Sequence, residues 1–370
     1  MLWGLGLYGI MNENFQHILS HFYDLGQLID IEQNDRGYIN ETYGIKLLKG
    51  NKKDRYFLRR YKKGALKERI KFEHALMNEL IEQGFNISPR VIPAKDLSTF
   101  VNVCEKKENY TESRYVSIFS CLPGKDKYSW DAPLCTDAEL KDAAKVLAFY
   151  HSAIHEWKGT SDWVEKRHID RVSLMTERWR AWAQNAGQSS FDQYFLGQFE
   201  YLFSILRKTQ FTKIYNEMPH LVIHGDYHPG NLKFLDGKVI GVFDFDWSKM
   251  DIRCFDVAIA LLFFCSGWDE IDEGNLLLGR AESFLEAYQK AADEVDGIGP
   301  MNMLELEHLP EMIHLSNISL IDWILEAFYA KHSGPLEFKT YLRHSVHVMQ
   351  WMERNRDQLY KCVLGMKNIH

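Results

Sequence analysis

The segment from 221 to 246 constrains this chain more than any other. It reads LVIHGD, NLKFLD and KVIGVFDFD, three short apolar runs of extended habit that each end in polar residues. Asp236–Gly237, between the second and third, is a hairpin signal, because glycine supplies the positive φ that a tight turn needs. Both flanking strands run toward their polar ends, so a hairpin gathers Asp226, Asn231 and Asp244 near one place. The loop HGDYHPGN at 224–231 sets a carboxylate, a carboxamide and two imidazoles within eight residues.

The surroundings differ in habit on the two sides. Between 31 and 61, GYINETYGIKLL and YFLRRY flank the polar turn KGNKKDR and read as a β-hairpin. In ALKERIKFEHALMNELIEQG, Ile70, Leu76, Met77, Leu80 and Ile81 recur at helical spacing, and Gly84 closes the helix. TFVNVCE and YVSIFSCLPG add a strand pair, giving a small antiparallel sheet with one helix. LPG at 122–124 breaks that pattern. Beyond it, ELKDAAKVLAFYHSAIHEW, RVSLMTERWRAWAQNAG, AESFLEAYQKAA and SNISLIDWILEAFYAKH are amphipathic helices. The expected fold class is α+β: residues 1–11 as an N-terminal extension, 12–121 as a small antiparallel-sheet lobe, and 122–370 as a larger, mostly helical lobe.

At 370 residues, with 46% hydrophobic and 14% aromatic content, a substantial core is possible and disorder is disfavoured. Lys and Arg total 44 against 51 Asp and Glu, a net charge of −7, so no overall positive field exists to gather nucleic acid. Cys104, Cys121, Cys135, Cys254, Cys265 and Cys362 are widely spread without zinc-type spacing, which reads as reduced thiols in a cytoplasm. MLWGLGLYGI lacks a basic n-region and a cleavage site and is too short to span a bilayer; Met11 is an alternative start. Neither a membrane nor a nucleic acid is an expected partner, and oligomeric state is not encoded in any of these features.

His224-x-Asp226, Asn231 five residues after that aspartate, and Asp244-Phe245-Asp246 beyond the hairpin have the spacing of a protein-kinase catalytic loop followed by its metal-binding triplet. Glycine replaces the loop arginine, and aspartate replaces the triplet's final glycine. Phosphoryl transfer needs such a set, since cations must neutralise the γ-phosphoryl oxygens while a carboxylate orients or deprotonates the attacking hydroxyl. On that basis Asp226 is the expected base, Asn231 and Asp244 are hard oxygen ligands for Mg²⁺, and His224 braces the loop. A bland alternative, an Asp-rich turn between strands, does not account for three polar positions at this spacing.

HGDYHPGN, VFDFD and FDVAIAL together resemble the aminoglycoside phosphotransferase and choline kinase superfamily, over most of the chain. The resemblance implies a two-lobed protein-kinase-like fold and an ATP- and Mg²⁺-dependent kinase acting on a hydroxyl. It further implies that His228 orders the catalytic loop and that Asp256 is a buried structural aspartate. GYINETY resembles the nucleotide-covering hairpin, with Gly37, Asn40 and Thr42 near the phosphates. Arg59 matches the third-strand cation and Glu73 the helix acid that holds it; a surface cation is the alternative for Arg59. Arg60, on the opposite strand face, is expected to be solvated. Ser120, Cys121 and Leu122 resemble the hinge on which the nucleotide base rests, with ATP and GTP both open. His151 matches a helix histidine read as packing, and its spacing to His155 lacks the glutamate of a zinc protease helix.

NETY, LRRY, LPG and DFDWSK are most similar to type II homoserine kinases and bacterial stress-response Ser/Thr kinases. Homoserine, an amino-alcohol, an aminoglycoside or a sugar is therefore an expected small-molecule acceptor. An atypical protein kinase and a non-catalytic nucleotide-binding scaffold are the alternatives. For the acceptor, Asp246, Trp247, Asp322 and Glu326 are candidates, because acids beside aromatics suit an ammonium group. Trp323 at helical spacing with Leu320, Ile324 and Phe328 reads more readily as core than as part of an acceptor site.

Overall fold

The computed structural model describes residues 14–34, 39–106, 111–129, 131–160, 162–209, 212–331 and 335–366. Two compact units result, one running to Pro123 and including Gly159–Trp163, the other comprising Gly124–Lys158 and the chain from Val164. The proposed N-terminal extension and Gly37 lie outside the described residues.

The first unit holds a helix α1 (residues 14–22), strands β1 (Gln27–Asn34), β2 (Glu41–Lys49) and β3 (Lys52–Arg60), helix α2 (Lys67–Glu82), and strands β4 (Val91–Ile92), β5 (Val101–Lys106) and β6 (Thr111–Ser120). The sheet is antiparallel, in the order β1-β2-β3-β6-β4, with β5 paired to β6. Period-two alternation turns Tyr43, Ile45 and Leu47 of β2 inward. There they join Phe15, Ile18, Leu19, Leu58, Val116 and Ile118 in the core. The β2–β3 turn is tighter than the sequence suggests: Lys49 pairs with Lys52, and Gly50 at φ 61° makes the corner. Strand β1 goes unread in the sequence because of its eight residues QLIDIEQN only Ile31 is buried, which leaves an edge strand with almost no alternation.

The second unit is mostly helical: α3 (Asp137–Ala153), α4 (His168–Gln184), α5 (Ser190–Lys208), α6 (Thr212–Glu217), α7 (Arg253–Cys265), α8 (Leu278–Glu294), α9 (Met303–Lys331), α10 (Pro335–Arg354) and α11 (Arg356–Gly365). The α+β class read from the sequence therefore holds. Set among the helices are β7 (His220–Ile223), β8 (Leu232–Leu235), β9 (Lys238–Val242) and β10 (Lys249–Ile252). They form two separate ribbons, β7 with β10 and β8 with β9. The single hairpin expected over 221–246 is thus corrected. Its missing partner, KMDI at 249–252, hides Lys249 and Asp251 in the interior, so no apolar alternation marks it as a strand.

Helix α7 is buried along its whole length, RCFDVAIALLFFC. An all-round apolar helix needs polar groups only where it is tied to its neighbours, and Arg253 supplies the first tie. Its guanidinium donates to Glu305 of α9 through Nε at 2.9 Å and through Nη2, and to the carbonyls of Ile298 at 3.1 Å and Gly299 at 2.8 Å. Its own N–H donates to the Pro219 carbonyl at 3.0 Å, just ahead of β7. Both side chains of the ion pair are essentially solvent-free, so removing one strands the other charge.

Arg253→Met should accordingly lower the unfolding free energy by about 3–5 kcal/mol, and Arg253→Met with Glu305→Leu by less than the single change. Urea denaturation measures both. A single variant as stable as the parent would show that this pair does not anchor α7.

Candidate active site

Strand β7 delivers three buried residues, Leu221, Val222 and Ile223, and the chain then turns into the polar loop. The turn is fastened from behind by α7. Asp256 accepts the N–H of His224 through Oδ2 and that of Gly225 through Oδ1, each at 2.8 Å, and His151 of α3 approaches Oδ2 through Nε2 at 3.0 Å. Burial alone would raise the Asp256 pKa, but the hydrogen bond from His151 and the neighbouring donors hold it below the ordinary carboxylate range. His151, read from sequence as packing, is therefore a partner of this carboxylate, and its Nδ1 meets the Tyr288 hydroxyl at 2.8 Å.

Gly225 has φ +78°, and a Cβ there would lie 2.5 Å from the Trp247 carbonyl oxygen. That explains glycine where the kinase pattern carries arginine. His224 is buried, and its Nδ1 accepts the Asp226 N–H at 3.3 Å, which leaves Nε2 to donate to the Phe243 carbonyl at 3.2 Å. Burial pushes its pKa below the ordinary imidazole value, in keeping with this neutral tautomer. His224 thus spans from the backbone of Asp226 to the residue preceding Asp244.

The loop closes in a 3₁₀ turn, Pro229–Asn231, in which the His228 Nδ1 accepts the Gly230 N–H at 3.0 Å. Asn231 Nδ2 donates to the Asp226 carbonyl at 2.9 Å and to Asp226 Oδ2 at 3.0 Å. His228 Nε2 stands 3.6 Å from the same Oδ2. The Asn231 carbonyl accepts the Phe243 N–H at 3.1 Å, which brings Asp244 alongside. Asp244 itself sits at φ 66°, a left-handed conformation that non-glycine residues seldom adopt, and its Oδ1 is buried. The three residues read from sequence are thereby linked in one short network. Since the carboxamide NH₂ is committed to Asp226, Asn231 offers its carbonyl oxygen, and Asp244 a carboxylate, as hard donors. Among the described residues no group of three or more His, Cys, Asp or Glu could hold a metal by itself. Such sparse protein donation is characteristic of Mg²⁺ held jointly with phosphates, so the donor set fits that ion.

Downstream, Asp246 and Trp247 are half-buried, and the Arg171 guanidinium lies 5.9 Å from the centre of the Trp247 ring. Asp322 and Glu326 of α9 do not fit the expected ammonium site. Asp322 is buried, accepts from Trp179 Nε1 at 3.0 Å and pairs with Arg178, while Glu326 stands 3.7 Å from the same arginine. Asp322 is thereby committed inside the protein, while Glu326, more than a third exposed, shares the same single guanidinium. Trp323 contacts Phe338, with ring centres 5.9 Å apart.

In the first unit, Arg59 Nη1 and Glu73 Oε1 are 2.7 Å apart, both largely buried, and Phe119 lies under the guanidinium at 5.6 Å. Across the sheet Arg59 registers with Thr42 on one side and Ser117 on the other, so these side chains share a face. Arg60 is not solvated as expected: it pairs with Glu41 at 3.1 Å, and Glu41 also meets Arg114 at 2.7 Å. Asn40 Oδ1 accepts the Lys62 N–H at 3.0 Å and closes the approach to β2. At the end of β6 the Ser120 N–H is taken by the Arg90 carbonyl and its hydroxyl by the Arg90 N–H, both at 2.9 Å. Cys121 and Leu122 follow beyond the strand.

A family model described as the phosphotransferase enzyme family matches residues 30–302. The chain is similar to a homoserine kinase of Bradyrhizobium sp. (strain ORS 278), with 25% identity over 333 residues that cover 87% of this chain and 89% of that protein. A homoserine kinase of Methylobacillus glycogenes is 25% identical over 302 residues, 80% of this chain and 79% of that one. Among solved structures it resembles a microcompartment-associated aminopropanol kinase, with TM-score 0.62, 18% identity and coverage of 94% and 98% of the two chains. A spectinomycin phosphotransferase solved with ADP and spectinomycin gives TM-score 0.59, 14% identity and coverage of 96% and 98%. These structural likenesses establish the shared two-lobed fold.

The lowered Asp256 pKa makes a signed prediction. Its stabilisation is present above the unfolded carboxyl pKa of about 3.9 and is lost as pH falls through the lower folded value. The stability gap between the parent and Asp256→Asn, measured by urea denaturation, should be widest near neutrality and shrink below about pH 4. A gap independent of pH would mean that this carboxyl titrates alike in the folded and unfolded chain, and a gap that narrows as pH rises above about 4 that it stays protonated in the fold.

Proposed function

The chain belongs to the phosphotransferase enzyme family and is a kinase, and we propose that it moves the γ-phosphoryl group of ATP, with Mg²⁺, onto a hydroxyl of a small molecule. The observation that carries this reading is the Asn231 carboxamide, which donates to Asp226 Oδ2 at 3.0 Å while its backbone carbonyl binds the residue next to Asp244. Base and ligand positions are built as one unit. The spectinomycin phosphotransferase solved with ADP supports the nucleotide, and the relatives named homoserine kinases support an amino acid as one candidate acceptor beside amino-alcohols, aminoglycosides and sugars.

Asp226 orients the acceptor hydroxyl and takes its proton as oxygen attacks the γ-phosphorus. The bond from phosphorus to the bridging oxygen breaks, and ADP departs with that electron pair. Asn231 fixes the Asp226 carboxylate from one side, and His228 lies near the same oxygen. His224 holds the loop backbone and is a positioning residue. Arg59, steadied by Glu73, is the cation for the nucleotide phosphates, with Thr42 on the same face. Asn231 through its carbonyl oxygen and Asp244 through its carboxylate would hold Mg²⁺, which when bound offsets negative charge on the phosphate oxygens.

ADP release over a panel of hydroxyl acceptors measures the activity. Asp226→Asn should lower kcat by at least ~10²-fold with little change in KM for ATP, the scale of a lost general base. EDTA should abolish turnover and added Mg²⁺ restore it. Near-parental turnover by Asp226→Asn would remove this residue from the mechanism.

A further inference from the structure

We propose that Tyr61, backed by His74, is a positioning residue for the nucleotide: it fixes the Glu73 carboxylate and, through it, the aim of Arg59 at the phosphates. The inference rests on the kinase reading above and adds what sets the direction of the phosphate cation. The Tyr61 N–H donates to the Tyr115 carbonyl of β6 at 2.9 Å, so the strand pairing continues past the end of β3. Arg59 and Tyr61, two residues apart, therefore leave the sheet on one face, and both meet α2 at the same residue. Arg59 Nη1 donates to Glu73 Oε1 at 2.7 Å, and the Tyr61 hydroxyl donates to Oε2 at 3.2 Å. That hydroxyl also lies 3.0 Å from Nε2 of His74, the next residue of the helix. Tyr61, Glu73 and His74 are 4%, 4% and 1% exposed, so water does not compete for these bonds.

The polarity of this chain follows from what each group can do. A carboxylate only accepts, so the phenolic proton goes to Glu73 and the phenol oxygen accepts from His74. Nε2 of His74 then carries the ring proton. The opposite tautomer would place an N–H at Nδ1, which is buried without a hydrogen-bond partner among the described residues, and an unmet buried donor is costly. Burial and the nearby Arg59 charge push the His74 pKa down to about 3, so the ring stays neutral and keeps this direction. Phe119 seats both ends of the chain: its ring centre is 5.5 Å from that of His74 and 5.6 Å from the Arg59 guanidinium. A carboxylate held at one oxygen can turn and carry the guanidinium with it; held at both oxygens by two residues of one strand, its plane is fixed. Helix α2 needs such a tie, since its N-cap residue Leu66 makes no side-chain capping bond and its apolar contacts are non-directional.

Isothermal titration of the full chain with ATP and Mg²⁺, and separately with adenosine, reads the effect without turnover. Tyr61→Phe should weaken ATP binding by about 10-fold, the size of one hydrogen bond to a charged group, and leave adenosine binding at the parental value. KM for ATP should rise in step, with KM for the acceptor unchanged. Arg59→Met should weaken ATP binding as well, and adding Tyr61→Phe to it should cost less than about 2-fold more, because the hydroxyl acts through that arginine. His74→Leu should weaken ATP binding in the same way, and His74→Gln, which offers an amide donor near the place of Nε2–H, should restore most of it. That comparison holds even if Tyr61→Phe fails to fold. A Tyr61→Phe chain that melts earlier yet binds ATP like the parent would make the hydroxyl a contact of the fold alone and overturn the inference. Equal weakening of ATP and adenosine, or full additivity with Arg59→Met, would overturn it too, with the kinase intact. Parental ATP binding by Arg59→Met would instead overturn the reading of Arg59 as the phosphate cation, and the inference with it.

Discussion

The Asp256 carboxylate accepts the N–H groups of His224 and Gly225 and faces the His151 imidazole, all without exposure to solvent. A buried charge of this kind is tolerated only when its partners are fixed, and the partners here come from two elements other than its own, α3 and the 224–231 loop. The loop conformation is consequently set by the core. Because the bonds run to backbone amides, they orient the peptide planes that lead into Asp226. The left-handed turn at Gly225 follows from the same anchorage, and so does the close approach of Trp247.

From that anchor the remaining polar groups fall into an order. His224 ties the loop to Phe243, the residue between β9 and Asp244, and Asn231 accepts the N–H of the same residue through its backbone carbonyl. Neither link is a surface ion pair that salt would screen; each is a hydrogen bond in a largely enclosed setting, where its worth is greatest. Arg253 and Arg178 are consumed by buried acids and serve the fold.

Much of the candidate site is legible in the sequence because phosphoryl transfer requires particular residue types at particular spacings. His224, Asp226, Asn231 and Asp244 stand out by their spacing and by the apolar runs that frame them, although the pairing of those runs differs from the hairpin they suggest. The ribbon pairing was not legible, since β10 buries Lys249 and Asp251 and so conceals its period, and β1 has a single buried residue. Partners also escaped. Arg60 reads as solvated in the sequence, yet Glu41 meets it across the sheet, and Asp322 reads as an ammonium site, yet Arg178 and Trp179 hold it. A residue's type can be read in one dimension, but whether its charge is already met depends on neighbours brought from over a hundred positions away, as Arg178 is to Asp322.

The central claim is that Asn231 and Asp244 jointly present oxygen donors beside the Asp226 carboxylate. Anomalous diffraction from crystals grown with Mn²⁺ and a non-hydrolysable ATP analogue measures this most directly. The expected result is a peak in contact with the Asn231 side-chain oxygen and the Asp244 carboxylate, with Asp226 the nearest carboxylate to the terminal phosphate that does not ligate the ion. A peak bound by neither residue, or a terminal phosphate remote from Asp226, would contradict it.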